Sequence, residues 1–296
     1  MNEICVSVLA WKTELSLAAR LPDTGHNRAW LFDLLRHEVS ATEVLASRFR
    51  PDSEVSKINR EAGSWVSTSW QFVSLLTATL NAAAATDGLV DPLLGAHLVT
   101  AGYDRWAGQG SGITCDPSEH RWESVEIKPG RAEAAVRIPP GSALDLGAVT
   151  KGWLADRLAQ SVVQSTGADC LANMGGDLRV ISPGEPWVIA ATDDHWETVM
   201  EVTDVGLATS GTGHRAWEDG HHLIDPRTGQ PAMTPWSSVS VLAATAADAN
   251  TASTAAIILG DAGPDWVAGH GLDAWFVGEQ RQHTVGQWTH LPVSAA

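Results

Sequence analysis

The chain has 296 residues, with 19 Lys and Arg against 35 Asp and Glu and a formal charge of −16. That length holds one large domain or two fused ones, and the charge argues against a nucleic-acid partner because like charge repels a polyanion. No apolar run reaches the roughly 18–20 residues of a membrane span, and neither a signal-peptide lead-in nor an export segment before Cys5 is seen, so the expectation is a cytoplasmic protein with no membrane anchor.

In chain order, residues 6–10 and 14–17 read as a strand pair. Residues 29–49 place Leu31, Leu34, Leu35, Val39, Val44 and Leu45 at helical spacing, and residues 68–85 are a second predicted helix. The Gly-, Ser- and Pro-rich stretch 108–130 predicts a loop. After Pro140, residues 148–164 predict a helix whose apolar face carries Val149, Trp153, Leu154, Leu158 and Val162. Strands are predicted at 170–172, 178–181, 187–191, 199–202, 238–243 and 274–277, with a helix over 250–259. Strands mixed with a few long helices, without regular βαβ alternation, predict an α+β fold. No repeat or long linker divides the chain, and residues 1–296 are expected to form a single domain. Cys5, Cys115 and Cys170 are too far apart to predict a disulfide framework or a metal cluster.

A phosphate ligand in so acidic a protein needs local help from a metal ion, a lysine or backbone N–H groups. Asp145-Leu146-Gly147-Ala148-Val149-Thr150-Lys151-Gly152 sets a carboxylate, a small-residue turn and a lysine at a helix start. Free N–H groups there favour an anion and Lys151 adds a point charge, although the P-loop pattern is absent and Asp145 alone reads equally as a cap. Asn173-Met174-Gly175-Gly176-Asp177 is a tight turn requiring positive φ, or a floor on which a ligand approaches the backbone.

Ala208-Thr209-Ser210-Gly211, Gly213-His214-Arg215 and His221-His222-Leu223-Ile224-Asp225-Pro226-Arg227-Thr228-Gly229 form the richest stretch. Imidazole titrates near neutrality, so His222 can accept a proton from an attacking hydroxyl. Asp248-Ala249-Asn250-Thr251-Ala252-Ser253-Thr254 opens a helix with Asn250 and Thr254 on one face. Their hard oxygens suit Mg²⁺, while Asp248 or Asn250 also reads as an ordinary N-cap.

In order and spacing these segments resemble the ApbE family of FAD:protein FMN transferases over residues 11–260. Phe49-Arg50-Pro51-Asp52-Ser53-Glu54 through Asn59, Asp87-Gly88-Leu89-Val90-Asp91-Pro92 and Leu259-Gly260 join the motifs above in that match. The resemblance implies an ApbE-like, T-fold-related α+β architecture. It implies transfer of FMN from FAD through a phosphoester to a Ser or Thr of an acceptor flavoprotein, with Mg²⁺ as cofactor, FAD as substrate and AMP released. FAD contacts fall on Trp11, Phe49, Leu89, Val90, Asp91, Asp145, Lys151 and Ile224. The metal falls on the Ala148 carbonyl, Asn250 and Thr254, and proton transfer on His222. A Mg²⁺-dependent FAD pyrophosphatase and a non-catalytic FAD-binding protein are the rival readings. Family members commonly carry Met at the position of Trp11, Tyr at that of Phe49 and Asp at that of Asn250. The last departure leaves three possibilities: an amide oxygen on the metal, a weakened metal site, or Asp248 reaching in through an irregular helix start.

Overall fold

A computed structural model describes residues 3–104, 121–182, 184–192, 197–213, 215–218 and 220–288. The expected loop over 108–130 lies mostly outside these residues, as do Cys115 and His214. Its described end is not all loop: Trp122–Ser124 is a 3₁₀ turn, and the strand Glu126–Lys128 pairs with Ala134–Arg137, which in turn pairs with Val66–Thr68.

The fold is organised by one sheet. Its strands are β1 (Ile4–Ala10), β2 (Thr13–Ala19), β3 (Cys170–Met174), β4 (Leu178–Ile181), β5 (Val205–Gly211), β6 (Ser238–Ala243), β7 (Asp273–Val277) and β8 (Gln282–Val285), adjacent in that order and antiparallel at every pairing. Alternate residues go to opposite faces, as the strand period of two requires. Ile4, Leu15, Leu17, Ala172 and Met174 pack on one side against helices α1 (Gly25–Ala46), α2 (Trp70–Ala85) and α3 (Gly147–Thr166). Ala18, Leu178, Val180, Leu207, Trp275 and Val277 face the other side, where the hairpin Trp187–Thr192 and Glu197–Val202 covers them. The α+β expectation therefore holds. Among the described residues no helix is long and apolar enough to cross a membrane.

Helix α4 (Ala246–Leu259) lies on the helical side, buried almost all round against β5, β6 and α3. Its start differs from the sequence expectation. Thr245 is the N-cap, accepting from the Asp248 N–H, and the Thr245 hydroxyl donates to Asp248 Oδ2 at 2.7 Å, so the helix begins four residues before Asn250. The two free N–H groups of Ala246 and Ala247 end on the Asp156 carboxylate of α3, at 2.8 and 3.0 Å. A carboxylate at a helix N-terminus satisfies orphan donors and complements the helix dipole.

Two glycines make this approach possible. A Cβ on Gly152 of α3 would stand 2.6 Å from the Ala246 carbonyl oxygen, and one on Gly206 of β5 would stand 2.1 Å from the Thr245 carbonyl carbon. The Ala208-Thr209-Ser210-Gly211 segment, where no strand is expected from sequence, is part of the central strand β5. Its small side chains fit beneath a helix packed this closely. Gly206→Ala should therefore destabilise the fold by about 1–3 kcal/mol through overpacking. An unchanged urea midpoint would show that β5 and α4 are not in this contact.

Candidate active site

The β3–β4 turn and the second turn of α4 meet in the interior. Gly175 and Gly176 both have positive φ (67° and 96°), and Asn173 Oδ1 accepts the Gly176 N–H at 2.9 Å, which fixes the tight turn. Asp177 at its end is 0% exposed. Its Oδ2 accepts from Asn250 Nδ2 at 2.6 Å and lies 3.2 Å from Lys151 Nζ, while Lys151 also donates to the Gly175 carbonyl at 3.3 Å. Burial pushes the Asp177 carboxyl up, opposed by Lys151, Asn250 and the charge of Arg215. One turn along α4, the Thr254 hydroxyl is 2.9 Å from that of Ser210, which also meets Ser253 at 2.8 Å.

A second group surrounds Arg48, which is 4% exposed. Its guanidinium pairs with Asp145 at 2.7 Å and with Asp104, and it stacks on the rings of Phe49 (4.5 Å) and Tyr103 (4.7 Å). Asp145 Oδ1 in turn accepts the Gly147 N–H at 2.8 Å, so the same carboxylate orders the first turn of α3. Tyr103 joins this group to the rest of the site. Its ring lies 5.9 Å from Phe49, 6.2 Å from Trp217 and 6.3 Å from His222, and its hydroxyl is hydrogen-bonded to Arg215.

The two adjacent histidines differ. His221 uses both ring nitrogens, accepting the Leu223 N–H at Nδ1 (3.2 Å) and donating from Nε2 to the Ala232 carbonyl (3.0 Å), so it braces the loop. The Nδ1 of His222 is buried and has no partner among the described residues. Burial first, then the charges of Arg215, His221 and Lys151, hold its pKa well below the usual 6.5. The charge of Arg215 thus acts on Tyr103, His222 and Asp177 alike, and its backbone carbonyl accepts the His222 N–H at 3.3 Å.

The remaining expected contacts are placed less directly. Trp11 and Lys12 form the β1–β2 turn with φ of 54° and 63°, a left-handed pair with no glycine, and the Trp11 indole donates to Glu43 at 3.1 Å. Thr13, whose methyl group fills the space beside Gly175, ties that turn to the site. Leu89 and Val90 are core residues, and the Asp91 carboxylate is held by the N–H groups of Leu93 and Trp122 at 2.8 and 3.1 Å, leaving this loop to act through its backbone. The neighbouring Pro92 carbonyl accepts the Asp145 N–H at 2.8 Å. Ile224 is buried in a two-residue strand, and Asp225 is consumed locally by Arg227 at 2.8 Å. Arg48, Tyr103 and Asp104 belong to this arrangement and to no segment singled out in the sequence, while Arg215 lies in one that was singled out, with no role given to it there.

Asp248 is exposed and held by its capping bond to Thr245, on the solvent side of α4. It does not reach in. The residues of the oxygen-rich group nevertheless fit a hard divalent cation. Asn250 Oδ1 and Asp177 Oδ1 are both buried acceptor atoms without a hydrogen-bond partner among the described residues, the Thr254 hydroxyl lies on the same helix, and Ala148 occupies the first turn of α3, just before Lys151. Oxygen donors of this kind suit Mg²⁺.

A histidine kept neutral by burial makes folding weaken as pH falls below 6.5, because the unfolded imidazole then takes a proton that the folded one refuses. The wild-type Tm should fall more steeply than that of His222→Asn between about pH 7.5 and 5. Parallel slopes would mean that His222 is not neutral and buried in the fold.

Comparison with known proteins gives the chain's relatives. The chain is 31% identical over 260 residues to the FAD:protein FMN transferase of Treponema pallidum (strain Nichols), covering 78% of this chain and 70% of that protein. It is 28% identical over 281 residues to the FAD:protein FMN transferase of Escherichia coli (strain K12), covering 86% and 79%. The ApbE protein of Thermotoga maritima superposes with a TM-score of 0.81 at 25% identity, over 97% of this chain and 98% of that one. The flavinyl transferase ApbE of Pseudomonas stutzeri shares the fold, with a TM-score of 0.81 at 20% identity over 96% and 95% of the two chains. Residues 12–276 match the model of the ApbE family, and the chain belongs to that family.

Proposed function

We propose that this chain transfers FMN from FAD to a Ser or Thr hydroxyl of an acceptor flavoprotein, with Mg²⁺ at the oxygen-rich group of Asn250 and Thr254. The observation that carries the reading is the buried Nδ1 of His222, without a partner among the described residues, on a loop where the His222 N–H donates to the Arg215 carbonyl at 3.3 Å. The charges of Arg215 and Lys151 both act on this ring. A base alone serves many reactions. A base next to two cations suits an attacking hydroxyl and an anionic phosphorus centre.

In this reading FAD lies across the site with a ring system against Phe49, Tyr103 and Trp217 and its pyrophosphate toward Lys151 and Arg215. Arg48 holds Asp145 and stiffens the aromatic wall. The acceptor hydroxyl oxygen attacks the phosphorus on the FMN side, and its proton passes to His222. A new P–O bond forms to the acceptor, the bond to the bridging oxygen breaks, and AMP leaves with that oxygen. The Ala148 carbonyl, Asn250 and Thr254 would hold the metal, which when bound withdraws charge from the phosphate oxygens and the leaving group. Positioning and charge neutralisation supply most of the acceleration, as in other phosphoryl chemistry.

Incubation with FAD, Mg²⁺ and an FMN-domain protein bearing a Ser/Thr flavinylation motif should give covalent flavin on the acceptor, read by intact mass, with one AMP per transfer. Free FMN with unmodified acceptor would replace transfer by hydrolysis, and absence of AMP over hours would leave a flavin carrier. His222→Ala should slow transfer by about 10²–10⁴-fold while FAD affinity changes little. Equal losses in rate and affinity would assign His222 to binding. Thr254→Val should raise the Mg²⁺ concentration required for half-maximal rate, and an unchanged requirement would remove Thr254 from the metal group.

A further inference from the structure

Helix α4 offers the cation no charge. Asn250 supplies an amide, Thr254 a hydroxyl and Ser253 another hydroxyl, while the helix's one carboxylate, Asp248, is exposed and capped by Thr245. Other carboxylates around the site are already occupied. Asp156 accepts the two N–H groups of Ala246 and Ala247, and Asp145 is divided between Gly147 and Arg48.

Asp177 differs. It is the carboxylate with a buried, unpartnered oxygen among the described residues, and a carboxylate oxygen removed from water without a partner is costly. Its other oxygen takes both Asn250 Nδ2 and Lys151 Nζ. That bond also fixes the amide of Asn250: the reverse orientation would set two acceptor oxygens against each other at 2.6 Å. The amide oxygen is therefore the atom left over, and it too is buried without a partner. Two adjacent side chains, 0% and 6% exposed and joined by one hydrogen bond, each keep one spare acceptor.

We propose that Asp177 is the charged ligand of the divalent cation in this chain, with Asn250 as a neutral oxygen ligand beside it and Lys151 holding the carboxylate in place. The assignment rests on the metal reading above. The negative charge a metal site needs is supplied by the β3–β4 turn and not by the helix.

The test is Mn²⁺ binding to the full chain, followed by electron paramagnetic resonance and calorimetry with and without FAD, independently of turnover. Asp177→Asn keeps the shape and removes the charge, and should weaken Mn²⁺ binding on the order of 10–100-fold. Adding Asn250→Asp to that variant exchanges the two groups, keeps their hydrogen bond with its polarity reversed, and should restore binding. Circular dichroism on each variant reports folding. Unchanged Mn²⁺ affinity in Asp177→Asn, or a loss that the exchange does not restore in a folded protein, overturns the assignment alone. A parent chain that binds no Mn²⁺ in either condition overturns the metal reading along with it. If Asp177→Asn does not fold, the exchange Asp177→Asn/Asn250→Asp decides: it keeps both the charge and the hydrogen bond and should bind Mn²⁺ with the parent's affinity, and binding that is lost or markedly tightened overturns the proposal.

Discussion

The close packing of the α4 N-terminus is the constraint on which the site depends. Asp156 on α3 anchors the first two N–H groups of α4, and the missing side chains at Gly152 and Gly206 let the helix settle against both α3 and β5. From that anchor Asn250 lies one helical turn in and Thr254 two, so their depth in the protein is fixed by backbone geometry. Lys151 stands one residue before Gly152, and the same contact brings its ammonium to the floor formed by Gly175 and Asp177. The site's polar groups come from three elements held by one packing contact, as a preorganised phosphoryl-transfer site requires.

The sheet sets the other half of the geometry. Register pairs Leu15 with Met174, so the β1–β2 turn reaches past β3 and lays Thr13 against Gly175. The strained Trp11–Lys12 pair sits at the tip of that turn. Left-handed φ at two non-glycine residues costs about 1–2 kcal/mol each, and such strain persists only where surroundings impose it. The Trp11 bond to Glu43 of α1 is one such restraint on the turn.

Much of this was legible in the residues, though unevenly. The helix Gly147–Thr166 was found within two residues at each end, and Gly25–Ala46 within four, because the 3.6-residue period is a local signal while the exact ends are not. Strand β5 was not found as a strand, because Ala208-Thr209-Ser210-Gly211 is small and polar, and its strand identity comes from pairing and from the helix above it. The same limit applies to the site. Lys151, His222, Asn250 and Thr254 stood out as motif residues, but the bond between Asp177 and Asn250 joins positions 73 residues apart. Arg48 reaches Asp104 across 56 positions, and Tyr103 belongs to no motif at all. Spacing along the chain carries no information about such contacts.

Charge is the argument for joining the substrate and a divalent ion in the proposed site. Among the described residues the site sets Arg48, Lys151 and Arg215 against Asp104, Asp145 and Asp177, so its formal charges cancel. The protein around it carries −16. A pyrophosphate entering such a site gains little from net attraction, since Arg48 and Lys151 are already paired with carboxylates. Long-range attraction is also weak, because it is screened beyond about 10 Å at 0.1 M salt. In the proposed reading a divalent cation would change that balance at short range, since Asn250 Oδ1 and Asp177 Oδ1 are acceptors with no partner among the described residues and would hold a charge that offsets the phosphate's. The paired cations would then orient the substrate. On this account the acidic surface and the anionic substrate are compatible, because the neutralising charge arrives with the ligand.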